Sequence, residues 1–388
     1  MNLNLKTLLE AEGWQYLYGT DIPRSSDREV LCADDMEKFL NGTNPDLTAD
    51  EIHQIIDIIR LSGAGSDFAT LHKNYNYLVG GITFTPQDGK ARIIELIDFD
   101  NPEKNIFHAV SQFSVEYYDN GHTATRRPDI LLFINGIPLC IIELKNPADK
   151  NATIYDAWKQ IYIRYWRDIP HLLYYCPLAC ISDGVNTRLG TVRTPYEHFY
   201  SWRRVNENDK VSTLPFDELK NMISGVFEPK RFLEIFRDYI YFQDSEYDSE
   251  EIAIICRYPQ FFATRLLKQS IITAVTELKD GKGGTYFGAT GCGKTYTMAF
   301  LARQLALRCP ELGSPTIVMI VDRDDLQQQG ARLFTKSKEF LNIGEVNIVN
   351  SRDNLRHELG ARESGGFYIC TIQKFCDWII VNKVDTIK

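Results

Sequence analysis

The run Gly288-Ala289-Thr290-Gly291-Cys292-Gly293-Lys294-Thr295 satisfies GxxxxGK[ST], and it constrains this chain more than any other segment. Such a loop works only between a strand and a helix, because its backbone N–H groups and the helix N-terminus must face phosphate together. The flanks fit that need. Residues 284–287 read as a short strand, and Tyr296 to Leu307 carries helical apolar spacing. The N–H groups of Thr290, Gly291, Cys292, Gly293, Lys294 and Thr295 are then expected to cradle phosphates. Lys294 would reach the β/γ-phosphates of a nucleotide, and the Thr295 hydroxyl would ligate Mg²⁺.

A chain of 388 residues is too long for one ordinary core, so two or three domains are expected. No stretch approaches eighteen apolar residues, and the N-terminus MNLNLKTLLEAEGW lacks the plan of a signal peptide, so the reading is cytoplasmic with no membrane association. The nine Cys form no paired CxxC framework, and Cys176 and Cys180 read as buried thiols rather than metal ligands. A net charge of −9 weighs against broad nonspecific nucleic-acid binding. It leaves room for a local basic groove, with Arg126 and Arg127, Arg164 and Arg167, and Arg203 and Arg204 as candidates, although solvated surface charge is the commoner meaning of such pairs.

Along the chain, residues 33–62 read as helical, and strands are predicted over 77–84, 91–97, 109–117, 129–134 and 137–144. A helix over 152–166 and apolar strand material over 172–181 complete an α+β or mixed-sheet domain. Residues 205–213 read as a surface loop, and 243–251 (QDSEYDSEE) as an acidic linker. Beyond it, helices over 260–278, 294–308 and 325–340 alternate with strands over 284–287, 315–321, 345–349 and 366–371, the pattern of a parallel α/β domain. The expected domains are therefore 1–242 and 252–388, separated by the linker.

The first domain holds Pro128-Asp129, then Glu143-Leu144-Lys145 after thirteen intervening residues. Acidic, acidic and basic side chains on adjacent strands suit Mg²⁺ beside a phosphodiester: Asp129 and Glu143 as ligands with the Leu144 carbonyl, and Lys145 orienting or helping to deprotonate water. Asn135-Gly136 between two apolar runs predicts a hairpin. In a regular two-residue hairpin Asp129 would pair with Ile142 and face away from Glu143 and Lys145. The site therefore requires a three-residue loop with Gly136 left-handed, or a bulge elsewhere. Gln160 on the following helix is a supporting residue, with Arg164 one turn later on the same face.

Six segments then carry a family resemblance: RPDILLFINGIPLCIIELKNP at 127–147, ISDGVNTRLGT at 181–191, YPQFFATR at 258–265, GATGCGKTYTM at 288–298, VDRDDLQQQ at 321–329 and CTIQKF at 370–375. In this order they resemble the N-terminal part of the R subunit of type I restriction enzymes. The resemblance implies a PD-(D/E)xK nuclease domain of RecB type with a mixed sheet, followed by a partial RecA-like parallel α/β lobe of a superfamily 2 translocase. It implies double-stranded DNA as substrate, ATP and Mg²⁺ as cofactors, and methylation (M) and specificity (S) subunits as partners. By position, Asp129, Glu143 and Lys145 match the nuclease triad, and Gln260 matches an adenine-recognising glutamine. Asp322-Arg323 with Leu326 and Gln329 matches a segment after the second motor strand, and Thr371 to Phe375 one that approaches the DNA backbone. RecB-type helices show Gln-x-x-x-Tyr, whereas here Tyr165 stands one place late after Gln160. No apolar strand ending in Asp-Glu follows Thr295, so this chain by itself is expected to bind ATP weakly and turn it over little. Two other readings stay open: a P-loop ATPase with a non-nuclease adaptor, and a noncatalytic DNA-binding assembly module.

Overall fold

The runs Ile130–Ile134 and Ile137–Leu144 have almost no polar face, so they can pair only as interior strands of a sheet covered on both sides. A computed structural model describes residues 2–63, 65–87, 89–146, 153–211, 214, 216–243, 251–342, 345–360 and 362–374. It divides into two units, the first comprising residues 1–240 and 251–258 and the second 241–250 and 259–388. The acidic stretch read as a linker lies, over 244–250, outside the described residues.

In the first unit six strands form one mixed sheet: β1 (Gln15–Tyr18), β2 (Phe107–Ser111), β3 (Ile130–Ile134), β4 (Ile137–Leu144), β5 (Leu178–Ser182) and β6 (Thr187–Thr191). They lie side by side in chain order. The β1–β2 and β4–β5 pairs are parallel, and the other three are antiparallel. All five residues of β3 are fully buried. The thiols of Cys140, Cys176 and Cys180 are likewise buried and free, as their apolar surroundings predict.

Several expected boundaries move for identifiable reasons. The helix expected over 33–62 is two, Ala33–Thr43 and Ala49–Arg60, the second opened by a reciprocal Thr48–Glu51 capping box. Residues 77–80 are not strand. They continue the helix Asp67–Gly80, which buries Leu71, Tyr75 and Leu78 at helical spacing, and Gly81 at φ +77° ends it. The strand expected over 109–117 breaks at Gln112, which takes φ +55°. Of 172–181 only β5 is extended, because Pro170 opens a short helix through Leu173.

The second unit holds three parallel strands, β7 (Ile317–Val321), β8 (Val346–Ile348) and β9 (Phe367–Thr371), with β9 central and fully buried. Helices Lys294–Leu307 and Asp324–Lys336 supply Ala299, Ala302, Ala331 and Phe334 to the core beside Phe367 and Ile369. The strand expected over 284–287 does not form. Gly281 and Gly283 precede it and Gly284 opens it, and Phe287 is 92% exposed with no strand paired to it among the described residues.

Candidate functional site

Whether the hairpin can build a site depends on its register. Asn135 at φ +49° and Gly136 at φ +80° make a two-residue turn of the left-handed kind, and Ile134 pairs with Ile137. The three-residue loop is therefore absent, and the alternative bulge is present. Leu132 pairs with Cys140 but Phe133 with Pro138, leaving Leu139 as the extra residue. Pro138 has no N–H to give the ladder, which is the one sequence signal that could have placed the bulge there. Beyond it Ile130 pairs with Ile142, so continuing the register sets Asp129 opposite Glu143 on the same face.

The polar groups on that face form a closed set of bonds. The Leu144 N–H donates to Asp129 Oδ2 at 2.8 Å. Glu143 Oε2 accepts from Gln160 Nε2 at 2.8 Å, and Oε1 accepts from the Tyr165 hydroxyl at 2.7 Å. Gln160 Nε2 also donates to Tyr165 Oη at 2.6 Å, while Gln160 Oε1 accepts from Lys145 Nζ at 2.8 Å. Asp129, Glu143, Lys145 and Gln160 thus come together.

Tyr165 joins them, and its late spacing explains how. The helix Ile154–Lys159 passes into a π-helical segment, Gln160–Tyr165, before resuming at Trp166. A π turn accommodates one additional residue, so residues five apart share a face. Arg164, expected beside Gln160, is instead exposed, and Tyr165 is 1% exposed. A glutamine and a tyrosine one place out of an expected helical register are themselves a sequence signal for such a segment.

Electrostatics mark the carboxylate pair as short of positive charge. Glu143 is 1% exposed. Burial, with Asp129 beside it, raises its pKa from 4.5 to about 8, against the opposing pull of the Tyr165 hydrogen bond and the Lys145 charge. Burial and Glu143 push Tyr165 up as well, so it remains a donor. A buried carboxylate facing a second one, with a backbone carbonyl next in sequence, is a donor set that suits a hard divalent cation. Among the described residues no group of three or more His, Cys, Asp or Glu is placed to hold a metal ion, so here the two carboxylates would share the ion with the carbonyl and with water.

The paired arginines are partly spent on structure. Arg126 and Arg167 both bond the buried Asp168, and Arg203 lies 3.6 Å from Glu218. No basic groove follows from those pairs alone.

In the second unit, Gly291 and Gly293 take φ +76° and +81°, and Lys294 opens the helix. A side chain at Gly293 would strike Gln260, whose Nε2 donates to the Gly293 carbonyl at 3.1 Å. Lys294 Nζ donates to the carbonyls of Gly288 and Ala289 at 2.8 and 3.0 Å. Thr295 is half-buried in the first turn, and Thr290 and Cys292 lie in the loop itself. The glycine-bounded loop and helix N-terminus suit a polyphosphate with its Mg²⁺. A cavity of about 940 Å³ at the carboxyl ends of β7–β9 is lined by Asp322, Arg323, Gln327, Thr371 and Lys374, which brings the two later family segments together. Phe375 lies outside the described residues.

Fold and motifs define a chain with an acidic site on a mixed α/β sheet and, downstream, a phosphate-loop unit. Residues 2–198 match the family model "Type I restriction enzyme R protein N terminus", and residues 259–386 match the SWI2/SNF2 ATPase model. The endonuclease subunit of the type I restriction enzyme HindI of Haemophilus influenzae is 32% identical over 95% of this chain and 35% of its own length. A putative type I endonuclease subunit, MjaIXP of Methanocaldococcus jannaschii, is 30% identical over 94% of this chain and 36% of its own. This chain belongs to the type I restriction enzyme R protein family. It spans about a third of the length of these curated relatives. No described helix is long and apolar enough to cross a membrane.

Proposed function

We propose that the first unit is a Mg²⁺-dependent endonuclease domain of PD-(D/E)xK, RecB-like type. The second is proposed as part of a RecA-like translocase lobe that binds ATP, with the acidic stretch 243–251 as the proposed linker and residues 251–258 grouped with the first unit. The observation that carries the nuclease reading is the bulge that turns Asp129 toward Glu143, with Lys145 tied to the same face through Gln160. Asp129, Glu143 and the Leu144 carbonyl would hold the ion. Bound there, Mg²⁺ would polarise the scissile phosphate and lower the pKa of a water.

The chain's own residues divide the remaining work. Gln160 and Tyr165 fix both oxygens of Glu143, so the carboxylate does not rotate away from Asp129. Gln160 also holds the Lys145 ammonium, which orients the attacking water and offsets charge accumulating on the phosphate. In the second unit Gly291, Gly293, Lys294 and Thr295 would take the nucleotide phosphates, Gln260 would face the base, and Thr295 would ligate Mg²⁺. Double-stranded DNA is the proposed substrate, and methylation and specificity subunits are the proposed partners, in the cytoplasm. The family membership and the ATPase-model match support these assignments.

Plasmid nicking tests the nuclease reading. With Mg²⁺, and with partner subunits and ATP supplied, Asp129→Ala and Lys145→Ala should each lose cleavage while complexes still assemble. Unchanged cleavage in both variants would favour a non-nuclease adaptor.

A further inference from the structure

The sheet register runs a row of side chains past the carboxylates. Glu143 pairs with Ile181, and Ile181 pairs with Arg188. Partners in register project from the same face, so Asp129, Glu143, Ile181 and Arg188 lie in one row on one side of the sheet. Two inter-strand spacings separate Arg188 from Glu143, on the order of 10 Å. Among the described residues no carboxylate lies within ion-pair distance of Arg188. Other arginines of this unit have carboxylate partners: Arg126 and Arg167 with Asp168, Arg193 with Asp67, Arg203 with Glu218.

This guanidinium is nevertheless held in place. It lies 5.4 Å from the centre of the Tyr196 ring. Tyr196 in turn meets Tyr155 edge-on at 4.9 Å and Trp158 at 6.0 Å. Trp158 is anchored by its indole N–H to the Thr194 carbonyl at 3.0 Å. Trp158 sits on the helix that delivers Gln160, so one element positions both the acidic site and the aromatic bed of Arg188. An arginine held over an aromatic ring by a cation–π contact, with no carboxylate on it, keeps its donors available for a planar, two-bond grip on phosphate.

We propose that Arg188 binds a phosphate of the DNA strand flanking the one cut at Asp129 and Glu143, and that Tyr196 preorganises it. This rests on the nuclease reading and adds a positioning residue from outside its motif. The chain contributes one counterion-releasing contact at this point, and no base is read there.

The test is fluorescence anisotropy of the 388-residue chain with a labelled duplex oligonucleotide across a NaCl series, in EDTA so that nothing is cut. Arg188→Ala should weaken binding and reduce the slope of log K against log salt by about one. Arg188→Lys should restore the slope, which a folding defect would not allow. Tyr196→Leu keeps the charge, so it should weaken binding about threefold with the slope unchanged. An unchanged slope in Arg188→Ala overturns the assignment, and the nuclease reading stands if Asp129→Ala still abolishes cleavage. Absence of any duplex binding by the wild-type chain also overturns the assignment, while the nuclease reading is decided separately by cleavage with partner subunits and ATP supplied.

Discussion

The acidic site and the phosphate loop solve the same problem, holding phosphate chemistry in place, with opposite amounts of internal support. Around Glu143 each carboxylate oxygen has a donor, the strands beneath it are fully buried, and a π-helical turn exists to complete the set. At the phosphate loop the preceding residues form no strand, Phe287 is 92% exposed, and among the described residues Lys294 bonds only to carbonyls of its own loop. The first site is assembled by long-range packing. The second is shaped by local backbone geometry at Gly291 and Gly293. Changes that alter packing should therefore damage the first far more than the second.

The π segment gives the largest expected effect. One alanine inserted after Ile163 would rotate Tyr165 off Glu143, and Mg²⁺-dependent DNA cleavage should fall roughly 100-fold, the usual cost of misplacing a supporting group. Deleting exposed Arg164 should let the segment relax to an α-helix with Gln160 and Tyr165 one turn apart, and cleavage should persist. Loss of activity in the deletion with none in the insertion would reverse the account of that segment.

Glu143→Gln sharpens the comparison through pH. The folded-state pKa of Glu143, about 8, lies above its ordinary 4.5, so the folded protein holds the proton more tightly than the unfolded chain. The stability tied to that proton is full below about pH 4.5 and is lost as pH rises through about 8. Thermal melts in EDTA should show the variant gaining on the wild type as pH rises through that window, with no gain at its acid end. A gap that does not vary with pH would contradict the burial of an acidic pair.

Smaller effects distinguish the two turns. Gly136→Ala should cost about 1–3 kcal/mol in denaturant unfolding, because the residue is left-handed and its new methyl would strike the Cys32 carbonyl. Gly291→Ala meets nothing within 4 Å and should cost only the left-handed backbone penalty, roughly 1 kcal/mol. Lys294→Ala, an exposed side chain bonded to carbonyls of its own loop, should stay within about 0.5 kcal/mol. A large loss there would mean that the loop is packed more like the hairpin.

What could be read in advance follows the same division. The hairpin was legible because Asn135-Gly136 stands between uninterrupted apolar runs, and the helix after the phosphate loop because its motif demands one. The bulge at Leu139 was legible as a requirement of the chemistry, and Pro138 was the only mark of where it falls, since the apolar residues around it carry no sign of register. Tyr165 could not be placed because a regular helix puts Arg164 beside Gln160, and the wider turn goes with tertiary contact of Tyr165 with Glu143. Residues 77–80 were misread because Tyr77 and Val79 favour strands in isolation, whereas burial of Tyr75 and Leu78 on one side keeps them helical. Arg188 carried no signal until the sheet order placed its strand two along from Glu143.

The central claim is that Asp129 and Glu143 form one preassembled divalent-cation site. Calorimetric titration of the nucleotide-free chain with Mg²⁺ or Mn²⁺ at neutral pH, repeated in buffers of different ionisation heat, tests it most directly. The account predicts one site per chain, lost in Asp129→Asn, with close to one proton released as Glu143 ionises and less release above about pH 8. Equal binding by Asp129→Asn, or binding without proton release, would contradict it.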